Sequence, residues 1–245
     1  MKAVELDDNL ADAHSMLGFI LHQLDRDWAG SEREFRRAIE LNPSSSDAHH
    51  AYALLLTAEG RHAEAFAEIQ RAIELDPLTI PLRRNVGILL VRARQYDTAI
   101  EQLKSMIAMG PTGGGAHAVL AEAYSLKGMN PEALAEAHTA VVLTERRPSA
   151  VALEAWVNAR AGNRDLAAEM LRGLEREPQL NSNAKFNMAG AYLALGDRER
   201  SLQGLERLYV EDSSALSALG GDPLFDDLAS DPRFQDLLRR LGFPR

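Results

Sequence analysis

The chain has 245 residues, no cysteine and a formal net charge of −9. These values exclude disulfides and thiolate metal sites, and argue against nucleic-acid binding by this segment. Apolar residues make up 46% and charged residues 26%, the balance of a folded chain, and no apolar run approaches the roughly 18 residues of a membrane span.

The opening stretch, Met1 to Asp7, repeats a pattern found again at Arg37–Asn42 and Arg71–Asp76, where it ends a helix. Residues 1–10 are therefore expected to be a partial helix of a truncated upstream unit, and the chain a piece of a longer protein. No charged-then-apolar leader precedes it.

From residue 11 onward, small residues recur at a fixed interval. Steps of 34 from Ala53 reach Gly87, Ala121, Ala155 and Ala189, and steps of 34 from Ala65 reach Ala99, Ala133, Ala167 and Ser201. A third column runs Gly60, Arg94, Gly128, Gly162, Gly196. Such self-similarity is the signature of a repeat array. In the unit from Ser46 to Thr79, Asp47 is placed to cap a first helix whose Tyr52, Leu55 and Leu56 share one face. Gly60 supplies a turn with positive φ. A second helix follows from about His62 to Leu75, with Ala65, Ile69, Ala72 and Ile73 on one stripe, and Asp76-Pro77 ends it. Neither helix buries its stripe alone; stacking on the next unit completes the core.

The other units vary this plan. The first carries one extra residue within Asp25-Arg26-Asp27-Trp28, and Trp28 is expected to pack over that turn rather than meet a partner. The third ends at Gly110-Pro111-Thr112-Gly113-Gly114-Gly115, which lacks the Gly-Lys-Ser/Thr ending of a phosphate loop and follows no strand, so it reads as an inter-repeat turn. Asn130-Pro131-Glu132 is a helix start with proline in the first turn. A seventh unit is interrupted by Gly220-Gly221-Asp222-Pro223. In its place two Asp-Pro steps, at Asp222 and Asp231, each open a short amphipathic helix carrying Phe225 and Leu228, then Phe234, Leu237 and Leu238. Residues 213–245 are expected to cover the exposed end of the last unit.

The spacing and its residues resemble the tetratricopeptide repeat. Leu17-Gly18, Val86-Gly87 and Leu120-Ala121 match its first-helix element, and Pro43, Pro77 and Pro111 its end. The resemblance implies an all-α, right-handed superhelix of about six helix pairs over residues 11–212, closed by a helical cap. The tail and Glu34-Phe35-Arg36-Arg37-Ala38-Ile39-Glu40-Leu41-Asn42-Pro43 resemble the modules that end bacterial multi-domain signalling proteins, behind winged-helix, adenylate cyclase or Ser/Thr kinase domains. That resemblance implies a regulatory or scaffold role and a protein or peptide partner, including other domains of a parent chain.

No catalytic, metal or cofactor site is expected. His14, His49 and His117 share one column, which marks a structural slot, and adjacent His49 and His50 diverge by about 100° on a helix. No nucleophile elbow accompanies the Ser, His and Asp residues. The resemblance instead implies a peptide groove on the concave face, lined by fixed first-helix positions. In the first two units these are Phe19, His22 and His50. In the third and fourth they are Arg84, Ile88, Arg92 and Glu122, and in the last two Trp156, Arg160 and Phe186. Two arginines followed by two large aromatics point to a ligand with an acidic stretch beside an apolar anchor, with Trp156 and Phe186 open to a core reading as well. A spacer or dimerisation element with an empty groove is the alternative.

Overall fold

The computed structural model describes residues 9–77 and 79–243; the partial helix expected over the first residues lies largely outside them, and Leu10 is already the N-cap of the first helix. Twelve helices alternate along the chain as six antiparallel pairs, and the described residues contain no strand. The first helices of the pairs are α1 (Ala11–Ile20), α3 (Ser46–Ala58), α5 (Ile80–Arg92), α7 (Gly114–Lys127), α9 (Pro148–Arg160) and α11 (Ser182–Ala194). Their partners are α2 (Trp28–Leu41), α4 (His62–Leu75), α6 (Tyr96–Ala108), α8 (Asn130–Leu143), α10 (Arg164–Glu175) and α12 (Arg198–Glu211).

The small columns lie where the paired helices cross. Ala65, Ala99, Ala133, Ala167 and Ser201 are all fully buried. A β-carbon on Gly87 would come within 2.6 Å of the Leu103 side chain, so any larger residue there requires Leu103 to move. The turn column takes the left-handed conformation throughout, at Gly60, Gly128, Gly162, Gly196 and also at Arg94 (φ 59°).

Local chemistry sets the helix starts. Ser45, not Asp47, caps α3 by accepting from the Ala48 N–H, while Asp47 sits in the first turn. It favours the positive end of the helix dipole there. The extra residue of the first unit lies upstream of the expected Asp25–Trp28, in a π-helical turn at Leu21–Asp25, after which Arg26 takes the left-handed place in the turn column and Asp27 caps α2. A single inserted residue in a helix characteristically produces this wider turn.

The histidine column is structural. His14 pairs with Glu34 at 2.7 Å, and His49 with Glu68 and His117 with Glu136 each at 2.6 Å. Each pair clamps a first helix to its second.

The tail departs from a simple end cap. Three 3₁₀ turns (Ser213–Leu216, Leu219–Gly221 and Pro223–Leu228) precede α13 (Pro232–Arg240). Asp222 and Asp231 cap their helical segments as the Asp-Pro steps imply. The segment crosses the concave side, however, instead of only covering the last pair. Leu224 lies on Gly190 of α11, Phe225 meets Phe186 edge to face with centroids 5.0 Å apart, and Asp226 pairs with Arg94 at 2.7 Å. At its far end Phe243 packs on Trp28 at 5.0 Å. Arg26 of the first unit and Arg240 of α13 both lie over the Tyr209 ring of α12. First and last units therefore meet through the tail, and the superhelix is barred across its mouth. Trp28 belongs to this closure, meeting His22 edge-on and Phe243 at a tilt.

Candidate functional site

Between the tail and the first helices of units three to six remains a cavity of about 750 Å³. Helix α5 contributes Arg84, Ile88 and Arg92, α7 contributes Ala118 and Glu122, and α11 contributes Phe186. Those residues recur at the spacing that faces the superhelix axis, and the structure brings them together on one wall. Ala215, Ser217, Ala218, Asp222 and Leu224 of the tail form the opposite wall.

The remaining members of the expected groove lie elsewhere. Trp156 is 1% exposed and belongs to the core; its assignment to the groove is corrected. Helix α9 buries nine of its thirteen residues, Trp156 among them, and a helix buried on most sides has no open face on which to present an aromatic. In α9 the cavity is lined by Ser149, Ala150 and Leu153 instead. Arg160 lies over the Trp156 ring at 5.1 Å and donates to the Ser125 hydroxyl, so it does not line the cavity. His22 is buried beneath the tail and is likewise corrected: its ring packs on Trp28 at 4.9 Å. Burial lowers its pKa to about 4, against a smaller opposing effect from the Ser217 backbone. His50 accepts from the Asn85 amide at 2.5 Å. Burial foremost, with Arg84 adding to it and Asp47 opposing, holds its pKa below the ordinary value. Phe19 is 48% exposed at the open end of the first unit, outside the cavity.

The charges of the cavity are unevenly matched. Arg92 Nη2 pairs with Asp222 at 3.2 Å. Glu122 is driven up to about 8 by burial first and by Asp222 second, with Arg92 opposing, so near neutral pH it is mostly a neutral acid. Arg84 and Arg147 have no ion pair or hydrogen bond among the described residues, and the Arg84 Nε is sealed from solvent without a partner. Two uncompensated guanidiniums therefore face one cavity in an acidic protein.

Sequence reasoning missed Arg147 and placed Gly114 and Gly115 in an inter-repeat turn, whereas they are the first two residues of α7. Arg147 lies in the α8–α9 turn, outside the first-helix positions, and its only signal was its place before Pro148. The glycines have a packing reason that spacing cannot reveal. A β-carbon on Gly114 would strike the Ala140 carbonyl at 2.7 Å, and one on Gly115 would meet Arg84 Nη1 at 3.2 Å.

Residues 25–78 match the family model of the tetratricopeptide repeat. Solved structures extend the likeness of fold to most of the chain. PilF of Pseudomonas aeruginosa is 19% identical with a TM-score of 0.57, over 87% of this chain and 96% of its own. PilW, described as a widely conserved type IV pilus biogenesis factor, is 15% identical with a TM-score of 0.60, over 85% and 98%. A tetratricopeptide repeat protein from Parabacteroides merdae is 14% identical with a TM-score of 0.67, over 95% and 84%. At these identities the likeness concerns the helical solenoid fold. No curated protein sequence matches the chain.

Proposed function

We propose that the chain is a non-enzymatic interaction module, a regulatory or scaffold segment of a larger signalling protein, that binds an acidic peptide or partner domain at its concave cavity. The observation that carries this reading is the wall formed by Arg84, Ile88 and Phe186, which sets an unpaired guanidinium beside apolar surface. Arginine and large apolar groups in partly desolvated pockets dominate binding energies in protein interfaces. The type IV pilus role of one structural neighbour supplies no argument beyond the shared solenoid, because functions on this architecture reside in the groove residues.

Peptide display against the intact chain tests the proposal. Enriched peptides should be acidic with one large apolar residue, and Ile88→Asp should weaken them at least tenfold while leaving the helical circular-dichroism signal unchanged. Enriched peptides that bind Ile88→Asp as tightly as the parent would refute the cavity as their site. The spacer reading draws on the tail, which already covers much of the concave face; it predicts that no peptide is enriched.

A further inference from the structure

The corner of the cavity where α7 begins combines three features that spacing alone did not connect. The α7 N-cap is Gly113, which has no side chain to accept a hydrogen bond. The N–H groups of Gly114, Gly115 and Ala116 find no acceptor among the described residues, although Gly114 and Ala116 are buried. Side chains close some of the other helix starts, at Asp27, Ser45, Asn181, Asp197 and Asp231, whereas several more lack a side-chain cap as this one does; what sets the α7 start apart is the arginine that crosses it. A buried helix end without a cap leaves its orphan donors to water or to a ligand.

Two cations line the same cavity from other elements. Arg84 of α5 crosses directly over Gly115. Arg147 comes from the turn after α8, three residues beyond Thr144, whose methyl packs on Gly114. Neither guanidinium has a protein partner, whereas Arg92 farther along the same wall is satisfied by Asp222. Replacing a guanidinium's hydration without supplying an acceptor is costly, so a site that half-buries Arg84 this way calls for an anion.

We propose that Arg84, Arg147 and the bare N-terminus of α7 form a binding site for a doubly charged oxyanion of the phosphate-monoester class. Two guanidiniums present forked donors to its oxygens, and the helix start adds main-chain N–H groups and the positive end of the dipole. The close packing of Gly114 and Gly115 keeps this corner free of side-chain bulk. The site stands independently of the peptide reading, because inorganic phosphate has no peptide to anchor and is tested on its own.

The experiment is a titration of the full chain with inorganic phosphate, at ionic strength held constant with chloride, read by backbone amide NMR and by melting temperature. The Gly114 and Gly115 amide resonances should move saturably, and the melting temperature should rise with occupancy. Phosphate also strengthens burial non-specifically, so the reading is the difference from variants. Arg147→Gln, at an exposed position that cannot disturb the core, should weaken the fitted affinity about tenfold or more, and Arg84→Gln likewise. Arg83→Gln, on the same helix but outside the cavity, should leave it unchanged. Acetate at equal ionic strength should give a markedly smaller amide shift. Repeating the titration with O-phosphoserine and with a phosphoserine peptide identifies the source: equal affinities assign a small phosphate ester, and a tighter peptide assigns a phosphorylated partner segment. Unmoved Gly114 and Gly115 amides, an affinity unchanged in both arginine variants, or an equal response to acetate would each overturn the proposal.

Discussion

Arg94 holds a backbone conformation that the other members of its column give to glycine, with φ 59° beside 76°, 82°, 91° and 81°. A side chain in this region costs roughly 1–2 kcal/mol, and its ion pair with Asp226, half-exposed on both sides, returns about 0–1 kcal/mol. Arg94→Gly should therefore stabilise the chain by about 0.5 kcal/mol after the greater freedom of glycine in the unfolded state is counted. Chemical denaturation checks it, and a clear loss of stability would mean that the tail contact outweighs the strain. The second residue-scale prediction concerns Glu122. Its folded pKa of about 8 lies above that of an ordinary glutamic acid, so the folded state holds a proton that the unfolded state has released. Stability from this group is full below about pH 4.5 and is lost as pH rises towards 8. Glu122→Gln should match the parent at pH 4.5 and exceed it at pH 8.5, by an amount on the order of 2 kcal/mol once cavity hydration is allowed for. A constant difference across that range would refute the assignment. The column of turn glycines was legible in the sequence because it depends on local backbone geometry. The raised acid was not, since it depends first on burial in the folded chain and then on Asp222, a hundred residues away along the sequence.

At the scale of the helix pair, periodicity carried nearly all of the architecture. The second helix of unit two runs His62–Leu75 as the pattern implies, and the inserted residue of unit one appears as a π turn. What periodicity could not show is which surface residues meet across a pair. Glu68 lies outside the apolar stripe of its helix, yet it accepts a hydrogen bond from His49 across the pair. The two readings of the pair give a paired prediction. Ala65→Leu should cost about 1–3 kcal/mol, because the site is fully buried against the facing helix and overpacking strains it. Glu68→Ala should cost about 1 kcal/mol, the net worth of a partly buried hydrogen bond. A double-mutant cycle with His49→Ala should recover most of that 1 kcal/mol as coupling. Zero coupling would show that the clamp contributes nothing, and the repeated His–Glu column would then lack an energetic explanation.

Across the whole molecule, the tail decides what the concave face can do. Its Asp-Pro helix starts were legible because capping is local, but its path was not. Nothing in the spacing of Phe225, Phe234 and Phe243 says that the first reaches Phe186 and the last reaches Trp28. The tail's Leu216, Leu219, Phe225 and Leu228 are as buried as any residue of the repeats, so the segment is a continuation of the core and not a detachable strap. Where it closes on the first unit, His22 lies neutral beneath it. The ring's pKa is lowered to about 4, chiefly by burial, whereas in the unfolded chain histidine titrates near 6.5. The unfolded state binds the proton first as pH falls, so this contribution to stability is present above about 6.5 and is lost between there and 4. The closure should thus loosen in mild acid before the repeats melt. Trp28 reports it directly, because it packs on both His22 and Phe243 and, in a Trp156→Phe background, is the sole tryptophan of the chain. Its fluorescence should shift to the red between pH 6.5 and 4 while the helical circular-dichroism signal holds. In His22→Gln, which cannot gain the charge, the shift should vanish from this range. The same red shift in both proteins would mean that carboxylate protonation elsewhere opens the closure, and that His22 is only a passenger in it.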